Sequence, residues 1–166
     1  MAITPDQLFQ LFEQLDIPVR TYQHAPTFTV EESRDVKLDM PGGHSKNLFM
    51  QDKSGALVLI SANANAQLKL NRLHRAIGTG RLSFAPAGLM EKHLGVTPGS
   101  VTAFSLANDT KHEVKFILEK SLSDCDPLNF HPLRNDMTTA ISRTDFDRFL
   151  RYTGHECTII DFDLLQ

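Results

Sequence analysis

Residues 47–61 read NLFMQDKSGALVLIS, and this stretch decides the fold more than any other. Two apolar runs, 47–51 and 56–61, flank the polar link Asp52-Lys53-Ser54-Gly55. Each run has the length of a strand, and a short polar link that contains Gly is typical of a hairpin turn. The stretch therefore predicts a β-hairpin in the middle of the first half of the chain.

Helical and strand patterns extend outward from this hairpin. Thr4 and Gln7 match a capping box, Pro5 suits the first helical position, and apolar residues recur at helical spacing from Leu8 to Leu15. We predict further helices over 30–36, 65–77, 86–94 and 142–154, and further strands over 19–23, 81–84, 100–106, 113–119, 128–133, 138–142 and 156–162. Because hairpins outnumber regular βαβ units, we predict one α+β domain, residues 1–166, around a mostly antiparallel or mixed sheet.

The composition excludes several classes of protein. Apolar types form 41% of the 166 residues and charged types 22%, as in a globular domain and unlike a disordered chain. No apolar run approaches the ~20 residues that cross a bilayer, and the first residues lack a signal-peptide pattern, so we expect a cytoplasmic protein. The net charge of −3 argues against a protein that coats long duplexes or binds DNA sequence-specifically, but it allows a small contact with one nucleic-acid end.

Spacing of cysteine and histidine gives no recognisable metal motif. Cys125 and Cys157 are expected to be reduced thiols, and the seven His show no HxH or HExxH spacing. We therefore predict no bound metal and no cofactor. The chain also lacks a Walker loop and a G-x-S-x-G elbow. Carboxylates flank Cys125 in Asp124-Cys125-Asp126 and predict a raised pKa for its thiol, which makes it a poor nucleophile.

Three segments carry residue types suited to chemistry, and each has a plain structural alternative. In Gly43-His44-Ser45-Lys46-Asn47, Lys46 follows a Gly-rich loop and would meet a ligand phosphate or ester oxygen, unless it is a strand-edge Lys that reaches water. In Gly95-Val96-Thr97-Pro98-Gly99-Ser100, backbone N–H groups would stabilise a developing oxyanion, unless the segment is an ordinary helix exit and turn.

The third segment is Asn129-Phe130-His131-Pro132-Leu133-Arg134-Asn135-Asp136. His131 is the best general acid or base by residue type, although a lone strand His is often only structural. Asn135 and Thr138 would position an amide or hydroxyl contact, with an Asx-type turn as the alternative.

Together these segments resemble the YbaK / prolyl-tRNA synthetase-associated editing domain family, in particular its freestanding alanyl-tRNA(Pro) deacylase branch (ProX/PrdX). The resemblance runs in one order through 43–49, 94–102, 130–138 and 154–156. It implies a compact editing fold with a mixed, partly barrel-like sheet flanked by helices. It also implies site residues: Lys46, Gly95, Pro98, Gly99 and His131 as catalytic, and Thr29, Asn47, Ser100 and Asn135 as substrate-binding.

The resemblance implies hydrolysis of the ester between a wrong amino acid and the terminal adenosine of tRNA(Pro), with Ala-tRNA(Pro) as the expected substrate. The expected partners are that acceptor end and prolyl-tRNA synthetase, with neither DNA nor a membrane. An aminoacyl ester is already activated, so water, oxyanion donors and a fixed ester suffice without a nucleophilic triad. Two alternatives stay open: a non-catalytic module that binds a tRNA 3′ end or a synthetase, and a Cys-tRNA(Pro) deacylase of the same fold.

Overall fold

A computed structural model describes residues 2–26 and 40–166 of the chain. The predicted helix over 30–36 and the candidate residue Thr29 lie outside the described residues. Helices cover α1 Pro5–Gln14, α2 Leu70–Ile77, α3 Ala87–Leu94, α4 Lys120–Ser123 and α5 Arg143–Thr153, with 3-10 turns at Ala103–Asn108 and Phe162–Leu164. Strands cover β1 Val19–Gln23, β2 Gly43–Gln51, β3 Leu57–Asn63, β4 Ser83–Phe84, β5 Val114–Glu119, β6 Leu128–Phe130, β7 Met137–Ile141 and β8 Thr158–Ile160. Among the described helices, none has the length and apolar character needed to span a bilayer.

The strands form one mixed sheet in the order β1-β7-β6-β2-β3-β5-β8, with β4 paired to the end of β2. The β2–β3 hairpin is antiparallel, as residues 47–61 predict, whereas β5 runs parallel to β3 and β6 runs parallel to the start of β2. Strand β2 therefore has β3 on one edge and β6 followed by β4 on the other. The predicted α+β class with a mixed sheet flanked by helices is confirmed.

Local capping explains where the first and last long helices begin. In α1, the Thr4 hydroxyl accepts from the Gln7 N–H, and the Gln7 side chain accepts from the Thr4 N–H, so the predicted capping box is confirmed. The Ser142 hydroxyl caps α5 by accepting from the Asp145 N–H. Gly154 ends α5 in the left-handed conformation, at the residue the sequence predicts.

The two faces of the sheet bury separate apolar clusters. One face of the β2–β3–β5 segment contributes Phe49, Leu59 and Phe116 to the larger core, which α1 and α5 cover. The opposite face contributes Met50 and Ile60 to a smaller core under α2. Successive residues of a strand point to opposite faces, so the two cores determine which side each polar residue of β2 occupies.

The predicted strand over 100–106 is wrong. Thr102 is extended, but its hydroxyl accepts from the Phe104 N–H, and the Ser105 hydroxyl donates to the Thr102 carbonyl, which starts a 3-10 turn. An apolar run buried on every side looks the same in sequence whether it is a strand or a helical turn. The predicted helix over 65–77 also begins late, at Leu70, and the predicted strand over 128–133 ends at Phe130.

Candidate active site

Lys46 lies within strand β2 rather than in the loop before it. Its Cα partner on β3 is Ala62, which places it on the sheet face of the smaller core, beside Leu48. The ammonium group donates to the Ala66 carbonyl over 2.5 Å from a half-buried position. Of the three N–H donors of an ammonium group, this contact uses one. Within residues 2–26 and 40–166 the ammonium group has no second hydrogen-bond partner, so its other donors can contact a ligand at this face.

Asn47 occupies the opposite face of β2. Its amide oxygen accepts from the Ser61 hydroxyl at 2.5 Å, and its amide nitrogen donates to the Ser45 hydroxyl at 3.1 Å. Ser45 in turn donates to the Asn129 carbonyl at 2.8 Å. This chain of hydrogen bonds fastens β2 to β3 and β6. The structure therefore does not bring Asn47 together with Lys46, although the two are neighbours in sequence.

The strand registers place four side chains in one row. His44 pairs with Asn129 across the parallel β2–β6 contact, and Phe130 pairs with Thr139 across β6–β7. Extending these two registers past the end of β6 sets His131 opposite Lys46 and Thr138, and Tyr22 of β1 pairs with Thr138. Alternation puts all four on one face. We call Lys46, His131, Thr138 and Tyr22 the row.

His131 has a defined tautomer. Its Nδ1 lies 2.8 Å from the Met137 carbonyl, which only accepts, so Nδ1 carries the proton and Nε2 is the acceptor in the neutral ring. Burial lowers the pKa of His131 below the ordinary 6.5 and outweighs the Met137 carbonyl, which raises it. Within residues 2–26 and 40–166, Nε2 has no hydrogen-bond partner. The ring therefore offers a neutral acceptor at pH 7.

His24 lies beside His131, although nothing in its local sequence marks it as a site residue. Its Nδ1 donates to the Ala25 carbonyl at 2.7 Å, so its Nε2 accepts from the Thr138 hydroxyl at 2.8 Å when the ring is neutral. The His24 and His131 ring centroids are 6.2 Å apart. In sequence, His24-Ala25-Pro26 shows only a turn. Its link to Thr138 depends on the β1–β7 pairing, which no local pattern reveals.

The Gly95–Ser100 segment forms a helix exit followed by a tight turn. Gly95 caps α3 in the left-handed conformation, and its N–H donates to the Glu91 carbonyl. The Ser100 N–H donates to the Thr97 carbonyl, with Pro98 second in the turn and Gly99 third at φ +91°, as in a type II turn. Among the described residues, the N–H of Gly99 donates to no acceptor.

The remaining described candidates are Ser100 and Asn135. Ser100 is buried, and Asn135 is half-buried beside the Arg134–Asp136 ion pair, whose side-chain atoms approach to 2.5 Å. A Cβ on Gly95 would lie 2.5 Å from the Ala2 side chain and 2.8 Å from Asn108. The strand registers relate Lys46 to His131, whereas the Gly95–Gly99 turn belongs to the exit from α3.

The thiol of Cys125 is a poor nucleophile, as its sequence context predicts. Burial and the charges of Asp124 and Glu119 raise its pKa. Burial also raises the pKa of the Cys157 thiol. Both thiols are therefore weaker nucleophiles at neutral pH than an unperturbed cysteine.

Comparison with known proteins identifies the family. The sequence profile of the aminoacyl-tRNA editing domain matches residues 24–149. The chain belongs to the aminoacyl-tRNA editing domain family. It is 35% identical over 162 residues to prolyl-tRNA synthetase associated domain-containing protein 1 of Xenopus laevis, which covers 95% of this chain and 96% of the relative. It is 29% identical over 150 residues to the prolyl-tRNA editing protein ProX of Acetoanaerobium sticklandii, covering 90% and 92% of the two chains.

Solved structures show the same fold for editing domains. A candidate trans-editing enzyme for prolyl tRNA synthetase superposes with a TM-score of 0.68 at 16% identity, covering 97% of this chain and 98% of that one. A hypothetical protein, APE2540, superposes with a TM-score of 0.73 at 16% identity, covering 93% and 97%. Identity this low supports the shared fold alone.

Proposed function

We propose that this protein is a trans-editing hydrolase that removes a wrong amino acid from tRNA(Pro), with Ala-tRNA(Pro) as its main substrate. The observation that carries the proposal is the row, in which a Lys ammonium with spare donors stands level with a neutral His131 acceptor on one sheet face. The family and the names of its relatives support the choice of a prolyl-tRNA ester. The editing domain spans residues 1–166, and the reaction needs no cofactor.

In this proposal Lys46 holds the terminal nucleotide of the tRNA. The Ala66 carbonyl fixes the direction of the ammonium group, and the remaining N–H donors contact a phosphate or ester oxygen. A charge-assisted contact of this kind fixes the ester relative to the sheet and thereby lowers the entropic part of the barrier. Lys46 supplies position and charge, and no covalent bond forms to it.

His131 is proposed to activate the attacking water. Nε2 accepts a proton from the water as its oxygen bonds to the ester carbonyl carbon, while Nδ1 stays bonded to Met137. The carbon–oxygen ester bond then breaks, and the proton returns from Nε2 to the ribose oxygen that leaves. The products are the free amino acid and uncharged tRNA, so atoms and charges balance without another reactant.

The turn that contains Gly95, Pro98 and Gly99 is proposed to supply oxyanion donors. The N–H of Gly99 is the donor that the turn does not use internally among the described residues. Thr29, Ser100 and Asn135 remain proposed substrate contacts. Asn47, for which the resemblance implies the same role, is proposed instead to hold β2 in place from the opposite face, since Ser45 and Ser61 occupy its amide.

The proposed partners are the tRNA(Pro) acceptor end and prolyl-tRNA synthetase, in the cytoplasm. A site that reads only one end of a tRNA is compatible with a net charge of −3. The names of the relatives, which refer to prolyl-tRNA synthetase, support the second partner.

Deacylation of Ala-tRNA(Pro) by purified protein tests the proposal directly, with binding of uncharged tRNA(Pro) measured in parallel. We expect catalytic release of Ala that grows with enzyme concentration. Binding without turnover would make the chain a non-catalytic 3′-end module and would overturn the enzymatic proposal. Faster release of Cys than of Ala would assign it instead to Cys-tRNA(Pro).

A further inference from the structure

Ionisable side chains form a second cluster at the carboxyl end of helix α3, apart from the row. His93 lies in the last turn of α3, and its Nδ1 is 3.1 Å from a carboxylate oxygen of Glu113, just before β5. The ligating atoms of His93, Asp109 and Glu113 all lie within 4.8 Å of one another. The side chain of Glu113 is about half exposed (49%), whereas that of Asp109 is almost fully buried (2%).

The protein holds the Asp109 carboxylate in a fixed direction. One of its oxygens accepts from the Glu113 N–H at 3.0 Å, and the other accepts from the Val114 N–H at 2.9 Å. His155 approaches that second oxygen at 2.8 Å from a buried position after α5. A carboxylate oxygen has two lone pairs, so the first oxygen keeps one for another contact. These bonds also bring the Glu113 backbone next to Asp109.

We propose that His93, Asp109 and Glu113 bind a divalent transition-metal ion of the Zn²⁺ class. One imidazole and two carboxylates are ligands that Zn²⁺ takes in proteins, with bonds of about 2.0–2.2 Å. Neighbouring ligand atoms of a tetrahedral site are then about 3.3 Å apart, close to the observed His93–Glu113 distance of 3.1 Å. The half-exposed Glu113 side chain has room to adjust its position, and water would complete the coordination.

Metal coordination would fix the tautomer of His93. A ligating Nδ1 gives its lone pair to the metal, so the proton of the neutral ring is carried on Nε2. His155 then acts as the outer partner that orients the Asp109 ligand, in the way outer-shell groups hold metal-binding side chains.

The site has a structural role and is not part of the proposed reaction. A metal would tie the end of α3 to the turn before β5, and Gly95 follows His93 by two positions. It therefore stabilises the element from which the Gly95–Gly99 turn projects. The sequence predicts no metal, because His93, Asp109 and Glu113 match no short metal-binding motif. Only the fold brings α3 next to this turn.

Calorimetric titration of chelator-treated, tag-free protein with Zn²⁺, and with Co²⁺ as a spectroscopic probe, tests this inference. We expect one equivalent of bound metal and a rise in the thermal midpoint on adding Zn²⁺. His93→Gln and Glu113→Gln should each weaken binding at least tenfold.

Two matched variants serve as controls. Glu91→Gln removes an exposed carboxylate from the same helix, and His112→Asn removes a neighbouring imidazole while keeping a residue that tolerates φ +55°. Both should bind Zn²⁺ like the wild type. The inference is overturned if the wild type shows no saturable binding, if all variants bind equally, or if only the His112 variant loses the metal. Far-UV spectra of each variant distinguish ligand loss from misfolding.

Discussion

Lys46 and His131 carry the proposed chemistry because each has a polar group without a hydrogen-bond partner among the described residues. These groups are the other N–H donors of the Lys46 ammonium and Nε2 of His131. Lys46 spends one donor on the Ala66 carbonyl, and His131 spends its Nδ1 proton on the Met137 carbonyl. The contacts with the Ala66 and Met137 carbonyls orient the two side chains. They leave the charge of the ammonium group and the lone pair of His131 Nε2 in place for a substrate. From sequence alone, Lys46 could either bind a ligand or extend into water. The outcome depends on the neighbouring strand β6, where Asn129, the partner of His44, is 85 positions away in the chain.

Lys46→Ala should lose most deacylation and keep the fold. Removing a charge-assisted contact costs about 1.5–3 kcal/mol, which corresponds to a ten- to hundredfold fall in kcat/KM. Single-turnover deacylation of Ala-tRNA(Pro) measures the effect. Lys53→Ala is the matched control, because Lys53 is exposed in the β2–β3 turn. Wild-type rates from a folded Lys46→Ala protein would contradict the role of Lys46.

The pH dependence of the reaction should follow His131. Burial lowers the pKa of its imidazole below 6.5, so the ring stays neutral in the folded state while an unfolded ring would take up a proton. Activity that requires the neutral ring should be constant through pH 7 and fall only below 6.5. The same shift makes the unfolded state bind more protons as pH drops below 6.5, so stability falls there as well.

A pH–rate profile of kcat/KM, with denaturant unfolding at each pH, tests both statements. His131→Gln should lower activity strongly and remove the acid limb that His131 causes. An acid limb centred above 6.5 would show that another group controls the reaction. An unchanged limb in His131→Gln would lead to the same conclusion.

At the scale of elements, the order of pairing in the sheet builds the candidate site. Residues 47–61 predict the hairpin correctly, and the first helix follows its capping box. The strand over 100–106 fails because hydroxyl groups of Thr102 and Ser105 favour a 3-10 turn that hydrophobic pattern cannot distinguish from a strand. The row itself is not predictable from local patterns, because it depends on register between strands distant in sequence.

Gly99→Val should reduce deacylation more than it reduces stability. At φ +91° a β-branched residue is strained by roughly 1–2 kcal/mol, and the turn that presents the N–H of Gly99 would distort. Gly55→Val is a close control, because Gly55 has φ +93° and its Cβ would meet no described heavy atom within 4 Å. Denaturant unfolding and deacylation are measured for both variants.

Comparable stability losses with loss of activity only in Gly99→Val would support a functional turn. Equal effects on activity in the two variants would show that Gly99 serves only the fold. In that case the oxyanion donors must come from another element.

At the scale of the whole molecule, the resemblance predicted the family better than any single feature did. Each matching segment is short, but the four occur in order along the chain, and the family profile spans residues 24–149. The four segments do not identify the amino-acid substrate, because the side chains of Ala, Ser, Cys and Pro differ by only one or two heavy atoms. Pocket volume decides between such ligands, and volume depends on packing across several elements.

Selectivity for the amino acid esterified to the tRNA therefore tests how the elements of the whole fold pack around the pocket. A pocket that closes around the Ala methyl group excludes the proline ring, because the ring adds two heavy atoms in a rigid shape that overfills the site. Gly and Ser each differ from Ala by one heavy atom, a change worth only ~1–3 kcal/mol, so discrimination against them is modest. Release from tRNA(Pro) should consequently be fast for Ala, modestly slower for Ser, and very slow for Pro.

The measurement is parallel hydrolysis of Ala-, Ser-, Cys- and Pro-tRNA(Pro), with and without chelator. Well below the thermal midpoint of the metal-free protein, the rates should not depend on the chelator, because no metal takes part in the proposed reaction and the proposed ion contributes only stability at the end of α3. Fast release of Pro, or activity that chelator abolishes and Zn²⁺ restores, would contradict this mechanism. A preference for Cys over Ala would change the substrate while leaving the roles of Lys46 and His131 as they are.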